Sequence, residues 1–269
     1  MSPVGRIWRL CTRLGIAPLL RRGYLFAHGL TSGWQHRARI GGVEAVFATR
    51  TWPEYKRVTT CFGERAVIAA VLDDLDGDEI VWDVGANVGL YACFLASRLT
   101  TGRVVAVEPE LQNAARLQSN LRANAPTERW LTVPVALAAE SGPARLVSEA
   151  GDPGPPTVGT GHHRLGRSDE SMPVRRERGE TLVAEGYPAP DVVKIDVQGA
   201  ELRVLRGMGD ALAGVRTIFL ELHPDGCRRY DTSPAAVEEF LRAAGFDLER
   251  LGGADWIDKE VSYLRATRQ

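Results

Sequence analysis

The sequence predicts an α/β fold, a mostly parallel sheet with helices on both faces, preceded by an N-terminal extension of different character. Three observations carry this expectation. From Ile80 onward, short apolar runs alternate with segments of helical period, as strands joined by crossover helices do. The first of these runs, "EIVWDV", passes through the glycine turn "GANVG" directly into a helical stripe. At 269 residues, 44% hydrophobic and 25% charged, the chain is long enough for one substantial globular domain with additions.

The extension occupies residues 1–78. Ile7, Leu10, Cys11 and Leu14 recur at i, i+3, i+4, i+7, while Arg6, Arg9, Arg13, Arg21 and Arg22 interrupt the apolar sequence. This predicts an amphipathic helix with a basic opposite face, not a signal peptide or a bilayer span, which needs roughly 18 to 20 apolar residues. Packing on the protein body and peripheral contact with a membrane or a partner both fit such a helix. "ARIGGVEAVFATR" alternates about Gly41-Gly42 and predicts a hairpin; Ile68, Val71, Leu72 and Leu75 predict a helix stopped near "DGDE".

Residues 79–269 form the main domain. "EIVWDV" is its first strand, and Val88, Tyr91, Ala92, Leu95 and Leu99 give the next helix its stripe. "RVVAVE" is the second strand, Leu111 to Asn124 a helix, "WLTVPVAL" the third strand, "DVVKIDV" the fourth and "TIFLEL" the fifth. Ser233 caps the following helix, Pro234 opens it, Val237, Phe240, Leu241 and Ala244 line it, and Gly245 ends it. "FDLERL" and "VSYLRATR" close the domain as an antiparallel pair. Between Glu149 and Ser171 the composition turns to Gly, Pro, Ser, Asp and His without periodicity, which predicts a long loop or flap, connecting or functional.

The formal net charge is −1 and the isoelectric point about 6.5, so no global positive field attracts nucleic acid, and none is expected as a partner. Cys11, Cys61, Cys93 and Cys227 are scattered without paired spacing. That argues against a disulfide framework or zinc knuckle and for a reducing, cytoplasmic setting.

Gly85, Asn87 and Gly89 follow a strand and open a helix, where a backbone can approach a ligand closely and free amides point outward. The pattern is GxNxG, not GxGxxG, and Asn87 stands where a pyrophosphate would need glycine. Taken alone, the turn is either a ligand loop or a structural bend. Glu108, ending the second strand, can accept from both hydroxyls of a ribose. Asp83, ending the first, can order the loop or accept from a ligand ammonium.

The runs "DVGANVGLYACFLA", "VVAVEPELQNAARLQSNLRAN", "VVKIDVQGAELRVLRGM" and "FLELH" resemble the FkbM-type S-adenosylmethionine-dependent methyltransferases over roughly Glu79 to Ala244. Gln198 stands where the family commonly has glutamate. The resemblance implies a class I methyltransferase (Rossmann-like) fold with a seven-stranded sheet. It implies a donor whose methionine end lies near Asp83, Gly85, Ala86 and Asn87, beside Gly89, with its ribose on Glu108 and its adenine near Asn113 and the Val135-Ala136 strand end. Asp196 would face the transferred methyl. Family members are chiefly O-methyltransferases of sugars, glycolipids or polyketide hydroxyls, so the implied partner is a small-molecule or glycan hydroxyl acceptor.

Methyl transfer is an in-line displacement that the protein serves mainly by alignment, and an alcohol acceptor needs a base or a metal. His223, at a strand end on the expected active edge, is the first candidate base, with a strand-capping role as its structural alternative. Glu221 can orient His223 or hold Lys194. Asp196, Glu201, Glu221 and His223 also suit a divalent cation, magnesium or manganese. His162 and His163 lie in the flap and are left outside the catalytic set, while Trp34, Trp52 and Tyr55 offer faces for a sugar or for core packing. Three other readings remain: an N-methyltransferase, disfavoured where "IDVQGA" replaces the Asn/Asp-Pro-Pro-aromatic motif; a non-catalytic cofactor-binding module; and, more remotely, an NAD-dependent dehydrogenase.

Overall fold

The computed structural model describes residues 15–148, 163–165, 171–252 and 261–268. The expected helix over Ile7 to Leu14 and most of the expected flap, His162 included, lie outside the described residues. The extension begins with α1 (Ala17–Ser32), closed by Gly33 in the left-handed region at φ 62°. The hairpin β1 (Gln35–Ile40) and β2 (Val43–Ala48) turns on Gly41 and Gly42, whose φ values of 54° and 79° are those a two-residue hairpin turn of this hand requires. In α2 (Trp52–Thr60) the capping box pairs Thr51 with Glu54. Next comes α3 (Arg65–Asp73), which ends before Leu75, the last residue of its expected stripe.

The main sheet contains β3 (Ile80–Val84), β4 (Arg103–Val107) and β5 (Trp130–Val133), with α4 (Leu90–Arg98) and α5 (Leu111–Asn124) between them. Pro134 then divides the expected third strand. Lacking an amide hydrogen it cannot continue the ladder, and the Val135 amide instead donates to the Val133 carbonyl at 2.9 Å, a tight turn that redirects the chain. Beyond it, β6 (Ala136–Leu137) leaves the main sheet for a second one with β7 (Gly142–Ser148), β8 (His163–Leu165) and β9 (Met172–Glu177), in the order β6-β9-β7-β8. Its strands β7 and β9 were not legible in the sequence, and β8 shows that part of the expected flap is paired to it.

After α6 (Gly179–Ala184), the chain returns through β10 (Val192–Ile195), α7 (Glu201–Met208), β11 (Thr217–Leu222), α8 (Pro224–Arg229), α9 (Pro234–Ala243), β12 (Asp247–Leu251) and β13 (Ser262–Thr267). The main sheet has seven strands in the order β12-β13-β11-β10-β3-β4-β5, with β13 antiparallel to both neighbours and the pairs from β11 to β5 parallel. As expected, it is mostly parallel and closes in an antiparallel pair.

Two apolar cores cover its faces. One, around Trp82, Leu205 and Leu220, is covered by α7 and α9. The other joins Phe94 and Leu117 to Phe47, Ile68 and Leu72 of the extension, so a single core spans the change in sequence pattern at residue 78. Two asparagines of α5 seal the edge of β2: Asn124 accepts from the Val46 amide at 2.7 Å and Asn120 from the Ala48 amide at 2.9 Å. Trp52 stacks on Tyr55 with centroids 5.6 Å apart, and Tyr24 meets both edge-on, so these rings join α1 to α2. Among the described residues no helix is long and apolar enough to cross a membrane.

Candidate active site

The strand order reverses between β3 and β10, and in open α/β sheets the crevice beyond such strand ends is where ligands bind. At that point the chain must turn within touching distance of its neighbour. Gly85 does so at φ 81°, and a Cβ there would lie 1.9 Å from the Asp196 carbonyl oxygen. The Gly85 and Ala86 amides both donate to the Val107 carbonyl at 3.0 Å. Asn87 follows at φ 51°, a conformation asparagine tolerates better than most side chains, and its Oδ1 accepts from the Val88 amide at 2.8 Å. Gly89, at φ 92°, opens α4 where any side chain would press on Leu117.

Glu108 is buried at the end of β4. Its Oε2 accepts from the Asn87 amide at 2.8 Å and its Oε1 from the Glu110 amide at 2.9 Å. A carboxylate offers about four acceptor directions, so each oxygen keeps one toward the cavity it lines. Burial pushes this carboxyl up to about 7, against the two amide bonds that favour its charged form.

A cavity opens at this point, with Gly85, Asn87, Glu108, Ala136, Asp196 and Gln198 among its walls. Tyr230, which follows α8, also lines it and fixes β8 by accepting from the Leu165 amide at 2.9 Å. Of the residues expected at the donor, Asp83, Ala86, Gly89 and Asn113 are not part of this wall. Asp83 is fully buried on Lys194 Nζ at 3.2 Å, and Asn113 lies in the first turn of α5, its amide held by Glu110.

Beyond Asp196 lies a buried charge cluster. Lys194 is 3.9 Å from Asp196 and stacks over Tyr91 at 4.6 Å; burial disfavours its charge, yet Asp83, Asp196, Glu64 and Glu221 together hold its pKa above the ordinary value. Burial likewise opposes the Asp196 carboxylate, but Lys194, His223 and Arg57 outweigh it and keep that carboxyl below its usual range. His223 Nδ1 is 3.0 Å from Glu201 Oε1; Nε2 is 3.0 Å from the Gln198 amide nitrogen, 3.4 Å from Glu221 Oε1 and 3.8 Å from Asp196 Oδ1. Burial alone would lower the imidazole, but its bonds to Glu201 and Glu221 and the charge of Asp196 carry it up to about 11. Asp196 and Gln198 line the cavity, whereas His223 and Glu221 stand behind them.

Asp196, Glu221 and His223 each present one ligand atom, all within 4.8 Å of one another, a donor set of the kind that holds magnesium or manganese. Glu201 faces the other side of the ring, where it also accepts the Gly199 amide at the start of its own helix.

Two contributors from the extension were missed in the sequence. Arg57 of α2 forms part of the cavity wall, with its guanidinium 4.5 Å over the Phe62 ring and its Nε buried without a hydrogen-bond partner among the described residues. Glu64, before α3, is raised to about 8 by burial and by Glu221 and Asp196. The one local signal for this corner is the turn after α2, where Cys61 and Phe62 adopt φ values of 47° and 43° without being glycine.

The sequence profile of the methyltransferase FkbM domain matches residues 83–248. The chain is similar to the hexuronic acid methyltransferase AglP of Haloferax volcanii, with 32% identity over 187 residues, covering 69% of this chain and 73% of that one. It is also similar to the methyltransferase sdnD of Sordaria araneosa, at 25% identity over 225 residues, 73% of this chain and 84% of the relative. Among solved structures, the fibrillarin/Nop5p complex shares the fold at a TM-score of 0.51 and 12% identity, with 87% of this chain and 97% of that one covered.

Proposed function

The chain belongs to the FkbM methyltransferase family, and on that premise we propose that it transfers a methyl group from S-adenosylmethionine to a hydroxyl oxygen of a sugar, glycolipid or glycosylated natural product. The observation that carries the donor reading is the cavity wall itself. It combines Glu108, with acceptor positions left for a ribose, and the Asp196 carboxylate, with no glycine-rich phosphate cradle between them. Such a wall fits a cationic nucleoside better than a pyrophosphate. When bound, the donor supplies an activated methyl on a sulfonium.

This chain's residues then divide the work. Glu108 and the Gly85 to Asn87 turn hold the nucleoside and amino acid ends. Asp196, kept ionised by Lys194 at the cavity wall, takes the acceptor proton, while His223 orients Asp196 and Glu221 from behind. Arg57, a cation in the cavity wall, binds an acidic or oxygen-rich part of the acceptor; the name of the Haloferax relative supports a uronic acid. The wide spacing of Cys61, Cys93 and Cys227, all buried and unpaired, supports a reducing compartment.

Incubation with S-adenosylmethionine and a panel of uronic acid and neutral glycosides, followed by mass spectrometry, tests this reading. A product gaining one methylene unit and stable to mild alkali marks an ether formed at a hydroxyl. An alkali-labile product marks a methyl ester, and failure to bind S-adenosylhomocysteine removes the donor reading altogether. A second reading rests on the trio of Asp196, Glu221 and His223, which suits a cation that lowers the pKa of the acceptor hydroxyl. Turnover after chelation, with and without added manganese, separates base from metal.

A further inference from the structure

The charge of this chain is unevenly distributed. Residues 1–43 hold seven of its 33 basic side chains, all arginine, and none of its 34 acidic ones; the first carboxylate is Glu44. The remainder therefore carries 26 basic against 34 acidic groups, and the near-zero total conceals a positive N-terminal part and a negative body.

In the same part of the chain, α1 has an apolar face turned outward. The series Ala17, Arg21, Leu25 and Gly29 turns inward, with Gly29 so close to Trp34 that a Cβ would lie 2.2 Å from the indole. The opposite face presents Ile16, Leu19, Leu20, Gly23, Phe26, Ala27 and Leu30, all exposed and following the three-to-four residue spacing of one helical face. Leu19 is 73% exposed, Phe26 59% and Leu30 71%. Of the seven large apolar side chains exposed among the described residues, six lie between Ile16 and Leu30. Scattered apolar residues need no partner, but a continuous stripe does.

We propose that α1 is a docking element for an anionic lipid surface. Its apolar stripe enters the acyl boundary while Arg22 beside it, and the arginines that flank it in sequence, meet the headgroups. Positive charge alone would also suit nucleic acid, but a face without polar side chains across Ile16, Leu19, Leu20, Phe26 and Leu30 has nothing to offer phosphates or base edges. It is matched by hydrocarbon, and the arginines select the anionic form of it. The proposal is independent of which acceptor the active site takes.

The test is co-sedimentation of the full chain with vesicles of phosphatidylcholine containing phosphatidylglycerol, against phosphatidylcholine alone. The expected result is binding to the anionic vesicles that weakens in high salt and falls about tenfold or more in a Leu19→Ser, Phe26→Ser, Leu30→Ser variant. An Arg22→Glu variant should lose the preference for anionic lipid while keeping some apolar binding. Because the three replaced side chains face outward, the variant should keep its circular dichroism, thermal midpoint and S-adenosylhomocysteine affinity. Three results overturn the proposal: no binding of the unaltered chain, equal binding by the triple variant, or a dimer in light scattering that the triple variant splits.

Discussion

His223 Nδ1 lies 3.0 Å from Glu201 Oε1, and the same fully buried oxygen accepts the Gly199 amide hydrogen at 2.8 Å. The first turn of α7 and the end of β11 are thus held to one carboxylate, and the imidazole has a fixed ionic partner on the side away from the cavity. On the proposed mechanism a group so placed keeps its proton and orders Asp196.

Nitrogen-15 spectra of the imidazole should therefore show both ring nitrogens of His223 protonated at pH 7.5, with Nε2–H donating to Glu221 and the Gln198 amide group donating to Asp196 alone. Glu201→Gln should lower its titration by roughly one to two units, since it removes a charge but keeps the shape. The folded-state value near 11 is above that of an unfolded histidine, so the stabilisation is complete below about 6.5 and is lost as pH rises toward 11. The stability advantage of the unaltered protein over His223→Gln should shrink across that interval in urea titrations. A neutral imidazole at pH 7.5 would return His223 to the role of base.

Affinity for S-adenosylhomocysteine should fall as pH drops below about 7, because protonation of Glu108 removes acceptor capacity toward the ribose. Glu108→Gln should bind about tenfold more weakly or worse, and its binding should no longer vary with pH in this window. Calorimetry at pH 6, 7 and 8 reads both effects. A pH-independent affinity in the unaltered protein would separate Glu108 from the donor.

Arg57→Met keeps most of the side-chain bulk over Phe62 and removes the guanidinium from the cavity wall. On an acidic acceptor KM should rise about tenfold to a hundredfold, the range for losing a charge-assisted hydrogen bond. The S-adenosylhomocysteine Kd should stay within about twofold. Equal losses in both would make Arg57 a structural residue of the cavity rather than an acceptor ligand.

Gly85→Ala should cost about 3 kcal/mol or more, since its Cβ meets the Asp196 carbonyl oxygen at 1.9 Å in a left-handed backbone that alanine already resists. Gly186→Ala is the control: φ is 100° there, but nothing lies within 4 Å of the added atom. It should cost only the backbone term, about 1–2 kcal/mol. Urea midpoints of the two variants test whether close approach or backbone hand makes Gly85 necessary.

Much of the site was legible because its determinants are local. The glycines of "GANVG" and the carboxylate ending "RVVAVE" lie where a strand ends, and alternation with helical periodicity fixes where that is. Asn87 could be read as a departure from a pyrophosphate loop, but its task of pointing its own amide at Glu108 emerges only once two strand ends are side by side. Arg57 and Glu64 had no periodic signal of function, because Arg57 reaches the cavity and Glu64 the buried charge cluster only through the packing of the extension on the main domain.

By itself, the sequence determined the order of the main-sheet strands along the chain, the turn between β3 and α4, the capped start of α9 and the N-terminal excess of arginine. These follow from backbone dihedral preferences, side-chain periodicity and charge, which act over a few residues. Only the tertiary structure decided that Pro134 sends the chain into a second sheet, that Asp83 is paired to Lys194, that Asp196 rather than His223 meets the cavity, and that α1 leaves an apolar face uncovered. Each depends on which groups burial brings together, and a buried charge or an exposed leucine is settled by its neighbours in space.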